Sequence, residues 1–253
     1  MMKKLLLTLI STSILFACSK GKDKDPEPTI SIDAQTIELK YDKDHQFALK
    51  KGNEDIFAST FTWVSSNEKV GKVDANGKFT ARKIGEATVS GTGANGVKVE
   101  SKVTISPYIT IFTEPILEFG ATMATIKSKE KRKLLKETTD GLAYEGAAGT
   151  QMRGVIYIFD KGKLQSAGIL FDNTTATVQA SATFIKERYP DRMTQDNQVY
   201  ILNDERTFGI VLGVNETFGY MGIYLPYPLD GRLSAERAAY SAATTVAFKQ
   251  LFK

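Results

Sequence analysis

Residues 63–91, WVSSNEKVGKVDANGKFTARKIGEATVSG, carry the clearest folding signal of the chain. Short runs of alternating apolar and polar residues are separated by turn signals, and they show no helical period. Asn76-Gly77 in this stretch, and Asn95-Gly96 just after it, supply the positive φ angles that tight hairpins require. Similar strand signals extend outward to residues 29–107, so we predict an all-β sandwich there.

This stretch resembles the bacterial immunoglobulin-like group 2 domain, which occurs in intimin- and invasin-type adhesins and in many surface lipoproteins. The matching positions are Trp63, Ser65, Ser66, Asn67, Val70, Val73, Asp74, Gly77, Thr80, Ala81, Gly85, Ala87 and Val89. The resemblance implies that Trp63 fills the space between the sheets and that Val70 and Val73 face inward. These are folding positions. The resemblance therefore implies a spacer or a binding module and brings no active-site residues with it.

The pattern changes in residues 108–230, where helix signals are mixed with strand signals. Helices are predicted at Thr122–Glu130 and at Thr175–Arg188, where Val178, Ala182 and Ile185 recur at helical spacing. Four strand signals follow each helix, and the two units lie about 55 residues apart, which indicates an internal structural repeat. We predict an α+β domain with two helix–four-strand repeats, the helices lying across one face of an antiparallel sheet.

In layout this second domain resembles C-terminal domains of Bacteroidetes-type lipoproteins and the β-lactamase-inhibitor-protein-like folds. Residues 231–253 predict a C-terminal helix that Ser234 can cap. Its alanine-rich surface favours packing against the second domain. The alternative is a dimer contact, but we expect a monomer.

The N-terminus is typical of a secreted protein. Lys3 and Lys4 precede a short apolar run that ends at Ala17, and this run is too short to span a membrane. Residues 15–18, LFAC, resemble a bacterial lipobox. The resemblance implies that residues 1–17 are a signal peptide and that Cys18 is lipidated and becomes the first residue of the mature chain. An ordinary signal peptide with an incidental cysteine is the alternative.

Lipidation would explain why the chain keeps a single cysteine. Two or more acyl chains hold a protein on a membrane almost permanently. With Cys18 acylated, no disulfide, cysteine nucleophile or cysteine-based zinc site remains. Residues 18–28 then form a polar tether. The resemblance to lipoproteins implies that Ser19, directly after the cysteine, is compatible with sorting to the outer membrane of a Gram-negative bacterium, where the chain would face either the periplasm or the outside.

Composition and motifs argue against several classes of function. The mature chain would carry 31 basic and 29 acidic residues, a balance that disfavours nucleic acid as a partner. His45 is the only histidine, and with Asp42 and Asp44 it more often marks a solvated loop than a metal site. The glycines of residues 91–96 indicate a hairpin turn. We therefore expect no catalytic residues, no metal site, no cofactor and no enzymatic activity.

Two surface features were candidates for binding. Residues 127–133, KSKEKRK, could meet an anionic lipid or an acidic partner, although such a run is more often a solvated face. Strand alternation places Ile156 and Ile158 on the face opposite Tyr157. If the helices cover that aliphatic face, four tyrosines lie on the open one and suit stacking on sugars or a protein partner. They are Tyr157, Tyr200, Tyr220 and Tyr224.

No feature of the sequence names a ligand or a reaction. We expect a lipid-anchored envelope protein that acts as a non-catalytic binding or adhesion module for a glycan or a protein. The alternative is a structural or assembly lipoprotein of the outer membrane. An open tyrosine face favours the first function, and a tyrosine face buried by another element favours the second.

Overall fold

A computed structural model of the protein describes residues 28–195, 198–215 and 218–227. The predicted signal peptide, the lipidated Cys18 and the predicted C-terminal helix lie outside these residues. Within them, an N-terminal domain of short strands is followed by a β-rich domain with two α-helices. This confirms the coarse prediction of an Ig-like domain followed by a mixed domain.

The first domain contains ten short strands in three small sheets. The strands are β1 (Ile30–Ile32), β2 (Thr36–Leu39), β3 (Asp44–Gln46), β4 (Leu49–Lys51), β5 (Glu54–Ile56), β6 (Thr62–Ser65), β7 (Gly71–Val73), β8 (Lys78–Ala81), β9 (Gly85–Thr92) and β10 (Lys98–Ile105). The sheets have the orders β1-β4-β5, β2-β10-β9-β6 and β3-β8-β7. The β2–β10 pair is parallel, and the other pairs are antiparallel.

Trp63 lies in the core of this domain, as the sequence predicts. Its ring stacks on Phe47 with a centroid distance of 5.5 Å, and its indole N–H donates to the carbonyl of Ala58 at 2.8 Å. Gly77 closes the turn beside it with a φ of 74°, and a Cβ there would lie 3.1 Å from the indole. Glycine is therefore required at this position both for its backbone angle and for the close approach of the ring.

The second domain is built on one eight-stranded antiparallel sheet. Its elements are α1 (Met123–Lys129), β11 (Leu134–Glu137), β12 (Gly141–Glu145), β13 (Met152–Asp160), β14 (Lys163–Phe171), α2 (Thr175–Lys186), β15 (Asp191–Gln195), β16 (Gln198–Leu202), β17 (Phe208–Asn215) and β18 (Gly219–Pro226). The sheet order is β11-β12-β13-β14-β18-β17-β16-β15. The hydroxyls of Thr122 and Thr174 cap the two helices by accepting from Thr125 N and Thr177 N.

Paired residues form continuous rows across this sheet, and residues directly opposite one another share a face. One row runs from β12 to β16 and consists of Leu142, Tyr157, Ala167, Tyr224, Ile210 and Ile201. All six belong to the cluster that includes Ile126 of α1 and Phe184 and Ile185 of α2. The helices therefore cover the face that carries Tyr157 and Tyr224, not the face that carries Ile156.

The buried stripe of α2 also differs from the prediction. Thr177, Ser181, Phe184 and Ile185 are buried, whereas Val178 is 36% exposed. Thr177 and Ser181 are buried but polar, so a pattern of apolar residues at helical spacing does not include them. The opposite face of the sheet holds a second apolar cluster, to which neither helix contributes: Ala143, Ile156, Ile158, Leu170, Phe218 and Met221.

The two domains meet through backbone contacts at a very short linker. β10 ends at Ile105, and the backbone N–H groups of Tyr108 and Ile109 already donate to the carboxylate of Glu187, at the end of α2. The carbonyl of Glu187 accepts from the N–H of Ile84, in the β8–β9 loop, at 2.8 Å. Glu187 thus bonds to both the linker and the first domain.

Ion pairs flank these backbone contacts on the side of the β8–β9 loop. They are Arg82–Asp191 (3.0 Å), Lys83–Asp204 and Lys69–Glu205 (2.7 Å). The side chain of Asp204 is only 6% exposed, so the Lys83–Asp204 pair is shielded from solvent, while the Lys69–Glu205 pair is exposed. Removing one partner of a shielded pair is more destabilising than removing one partner of an exposed pair, because the remaining charge stays away from water.

Candidate functional site

The predicted tyrosine face is not open. Tyr157, Tyr220 and Tyr224 are 0%, 5% and 1% exposed. Tyr200 is half-buried and lies on the other side of the sheet, because its neighbour Ile201 belongs to the row of Tyr224. The prediction of four tyrosines on one open binding surface was therefore wrong.

The physical reason is that each buried phenol finds a polar partner under the helices. Tyr220 shares a hydrogen bond of 2.9 Å with Ser181 of α2, and Tyr157 donates to Glu130 at the C-terminal end of α1. A tyrosine ring covers much apolar surface, and its hydroxyl can be buried when it is hydrogen-bonded. The tyrosine face is thus a core that polar residues of the helices complete.

One carboxylate, Glu114, joins the segment between β10 and α1 (the linker segment, residues 106–122) to the sheet. Its Oε1 accepts from the hydroxyl of Tyr189 at 2.8 Å and from that of Tyr224 at 3.0 Å. Burial, reinforced by the negative charge of Glu114, raises the pKa of both phenols well above the ordinary value. Both tyrosines therefore stay protonated and act as donors, so this cluster is a structural clamp.

A second carboxylate, Glu130, closes the other end of the same face. It accepts from Tyr157 and from the Arg132 guanidinium at 2.7 Å, and its side chain is 3% exposed. Burial alone would raise the pKa of Glu130, but the hydrogen bonds from Tyr157 and Arg132 outweigh it and lower this pKa. Arg132 also donates to the carbonyl groups of Thr113 and Glu114, which fixes the linker against α1.

The carboxylates of Glu114, Glu130 and Glu187 all accept hydrogen bonds from protein donors. Glu187 is 0% exposed and is paired with Arg188 at 2.7 Å as well as with the linker N–H groups. Within the described residues, no three histidine, cysteine, aspartate or glutamate side chains lie close enough to hold a metal ion. The arrangement of Glu114, Glu130 and Glu187 stabilises the packing of the linker and helices.

The remaining candidates from the sequence have structural partners. His45 lies in β3 rather than in a loop, with its Nε2 2.9 Å from Oδ2 of Asp33 and its ring edge-on to Phe47. In the basic run, Lys127 and Lys129 pair with Glu137 and Glu118. Since local carboxylates already meet these cations, the run does not form a concentrated basic patch.

Sequence reasoning missed the most exposed aromatic ring among the described residues. Phe57 is 82% exposed and follows β5 at the start of a 3-10 turn, Ala58–Thr60. It lines an open groove of about 460 Å³ whose floor includes Phe47 and Leu49. The alternation of apolar and polar residues does not predict that Phe57 is exposed and Phe61 buried, because the turn between them interrupts the two-residue period of a strand.

The groove also has a polar rim. The exposed side chains of Asp55, Ser59 and Asn76 line it beside Phe57. The Phe57 carbonyl is held by the N–H of Thr60 at 3.0 Å and by its hydroxyl at 2.7 Å, so the backbone under the ring is fixed. An exposed aromatic ring on a fixed turn, with polar side chains beside it, can bind a ligand that has both apolar and hydroxylated faces.

Comparison with known families supports the first domain. Residues 28–104 match the bacterial Ig-like domain (group 2). No curated protein matches the chain. In the part of the chain that the structure describes, no helix is both long enough and apolar enough to cross a membrane.

Proposed function

We propose that this protein is a lipid-anchored component of the bacterial cell envelope that acts as a non-catalytic binding or adhesion module for a glycan or a protein. In this proposal Cys18 is acylated and holds the chain at the outer membrane. The Ig-like domain is a rigid arm that carries the second domain. The observation that carries the proposal is the position of the interface between the domains, at the opposite end of the arm from the tether.

The path of the chain places these two ends apart. Residue 28 leads into β1, and the carbonyl of Thr29 accepts from Gly52, so the tether emerges beside the β4–β5 turn. Asp42 contacts Tyr108 beside the linker, and β3 and β4 lead from there to Gly52. Fully extended at about 3.3 Å per residue, this stretch can reach at most roughly 30 Å. A tether at one end and a partner domain at the other is the arrangement expected of a spacer.

The interface supports a stiff arm. The linker has almost no free length, since Lys40 donates to Ser106 and to the carbonyl of Pro107, at 2.8 and 2.9 Å. Glu187 holds the next two residues, and three ion pairs flank the contact. Inter-domain motion is the usual expectation for small polar interfaces, so this many fixed contacts at a two-residue linker favours rigidity.

The same proposal includes an internal repeat in the second domain. Each helix precedes four strands, and the last strands of the two units, β14 and β18, pair at the centre of the sheet. The strand order β11-β12-β13-β14 is thereby mirrored by β18-β17-β16-β15. Likeness of this layout to lipoprotein C-terminal domains remains part of the proposal.

A structural or assembly role in the outer membrane is the second candidate. The burial of Tyr157, Tyr220 and Tyr224 favours it, because the surface that suited stacking on a partner is used to pack the helices. The two candidates differ in what they hold. A binding module takes a glycan or a separate protein reversibly, whereas an assembly lipoprotein stays in a fixed complex.

Two measurements test the proposal. The first measurement applies to a glycan array a protein expressed without residues 1–17 and with Cys18→Ser, here called the mature Cys18→Ser protein. The second crosslinks the wild-type protein in envelopes, and together they separate the candidates. Glycan binding, or reversible capture of a protein, supports the binding module. A stable complex of fixed stoichiometry with no glycan bound supports the assembly role. If repeated trials give neither result, both candidate functions are contradicted.

The rigid arm is tested by distance measurements. Because Cys18 is the only natural cysteine, Val64→Cys and Val214→Cys in a Cys18→Ser background give one spin-label pair across the domains. Both valines are exposed. We expect a narrow distance distribution that broadens with Arg82→Ala and Lys83→Ala. Lys102→Ala, which breaks the exposed pair with Glu86 inside the first domain, is the control and should leave it narrow.

A further inference from the structure

We propose that the groove beside Phe57, in the Ig-like domain, binds a neutral oligosaccharide. This inference rests on the proposed binding function and names its ligand class and its site. The tyrosines first considered for this purpose are buried, whereas Phe57 presents 82% of its surface to solvent. At the edge of a groove, an exposed ring offers a ligand an apolar surface on which to pack.

The chemistry of the groove fits a sugar. The apolar C–H face of a pyranose ring packs on an aromatic ring, and its hydroxyl groups need donors and acceptors at the edge. Phe57 supplies the ring, and the side chains of Asp55, Ser59 and Asn76 supply a carboxylate, a hydroxyl and an amide along the same groove. A few polar groups around an apolar surface are typical of sites for small ligands.

The polar groups of the rim are available to a ligand. Asn76 uses its backbone carbonyl to accept from Gln46 at 2.7 Å and its N–H to donate to Asp74 at 2.8 Å, and these contacts leave its side-chain amide facing solvent. The carboxylate of Asp55 lies 3.5 Å from Lys50, and its side chain is 85% exposed. The turn therefore keeps its shape through the backbone while the side chains remain accessible.

Local charge argues against a lipid surface as the occupant. In a lipid-anchored protein, an exposed ring raises the alternative of insertion into the membrane. Lys50 and Lys51 are matched by Glu54 and Asp55 in the same hairpin. A neutral hairpin gains no attraction from anionic lipids, which stabilise peripheral proteins through clustered lysines and arginines. The same balance disfavours an anionic sugar.

Trp63 packs against Phe47, which lines this groove, and so provides a fluorescence readout. Its indole N–H donates to Ala58, which lines the groove, and it is the only tryptophan of the chain. The mature Cys18→Ser protein is applied to an array of neutral and sulfated oligosaccharides. Any glycan it retains is then titrated in solution by Trp63 fluorescence. Phe57→Ala removes the ring and Asn76→Ala removes an amide, and neither side chain is needed for packing.

We expect retention of a neutral oligosaccharide, a loss of affinity of about tenfold or more for Phe57→Ala, and a smaller loss for Asn76→Ala. Val214→Ala shortens another strongly exposed apolar side chain, in the second domain, and should leave affinity unchanged. Equal affinity of Phe57→Ala and wild type overturns the groove site but leaves the binding function standing. Retention of no neutral glycan overturns the inference, as does Phe57-dependent binding to anionic phospholipid vesicles without sugar.

Discussion

The hydroxyl of Tyr224 donates to Oε1 of Glu114 at 3.0 Å, across 110 residues of sequence. Glu114 lies in the segment that leaves the Ig-like domain, and Tyr224 lies in β18, the last described strand. This bond holds the linker segment between the sheet and the helices, where Phe112 is also buried. The segment that precedes α1 and the last described strand are therefore fixed to each other.

Replacing Tyr220 and Tyr224 by Ser should unfold or strongly destabilise the second domain. Both rings belong to the helix-covered core, and each loss of a large buried ring costs about 3–5 kcal/mol. Urea unfolding followed by far-UV circular dichroism measures this, while Trp63 emission reports on the first domain alone. Val214→Ser, directly opposite Tyr220 and 72% exposed, is the control. A double variant as stable as that control contradicts the core assignment.

Trp63→Ala should lower the stability of the Ig-like domain by about 3–5 kcal/mol. The substitution removes the stack on Phe47 and the bond to Ala58. Amide hydrogen exchange should show faster exchange in β6 and β9 and unchanged protection in β13 and β14. Trp63→Phe keeps most of the ring and should cost less. A loss of only a few tenths of a kcal/mol would show that the ring does not stabilise the core.

The stability of the second domain should fall below about pH 4.5 partly through Glu130. The pKa of Glu130 is lowered in the folded protein from an ordinary value of 4.5, so the unfolded chain takes up the proton first. The stabilisation is thus fully present above that pH and is lost as the pH falls through the folded pKa. Urea unfolding from pH 7 to 3 should show a weaker pH dependence for Glu130→Gln than for wild type.

The control for this measurement is Glu118→Gln, which removes an exposed carboxylate paired with Lys129. Its pH profile should follow that of the wild type. Identical profiles for Glu130→Gln and wild type would show that the bonds from Tyr157 and Arg132 do not stabilise the ionised carboxylate.

Cys18→Ser should leave the protein as an unprocessed precursor without an acyl label. Metabolic labelling with a fatty acid, followed by mass measurement of the N-terminus, tests this. Ser19→Ala keeps the cysteine and should still be labelled. Cleavage after Ala17 together with fatty-acid incorporation in the Cys18→Ser protein would refute the lipobox interpretation.

Much of the fold follows from local signals in the chain. Thr122 and Thr174 begin the two helices because their hydroxyls accept from N–H groups three residues ahead, a contact that needs no distant partner. Asp74 and Gly77 specify their turn in the same way, through bonds within five residues and one positive φ. Such features are readable because the interacting groups are close in sequence.

The candidate site could not be predicted from such local signals. Alternation separates the two faces of β13 and β18, but both faces are apolar enough to be buried. The sequence therefore leaves open which face the helices cover. It also places Tyr200 with the other tyrosines, because alternation within one strand says nothing about how its residues pair with the neighbouring strand.

The sequence by itself determined the strands, the turns, the helix starts and the Ig-like signature around Trp63, since each depends on interactions within a few residues. Only the tertiary structure decided that Tyr157 and Tyr224 are core and that Phe57 is exposed. Burial of a phenol depends on whether an acceptor reaches it, and here Glu130 and Glu114 do so from 27 and 110 residues away. The side chain of Phe57 is exposed because it precedes the 3-10 turn, and the first buried aromatic ring after that turn is Phe61.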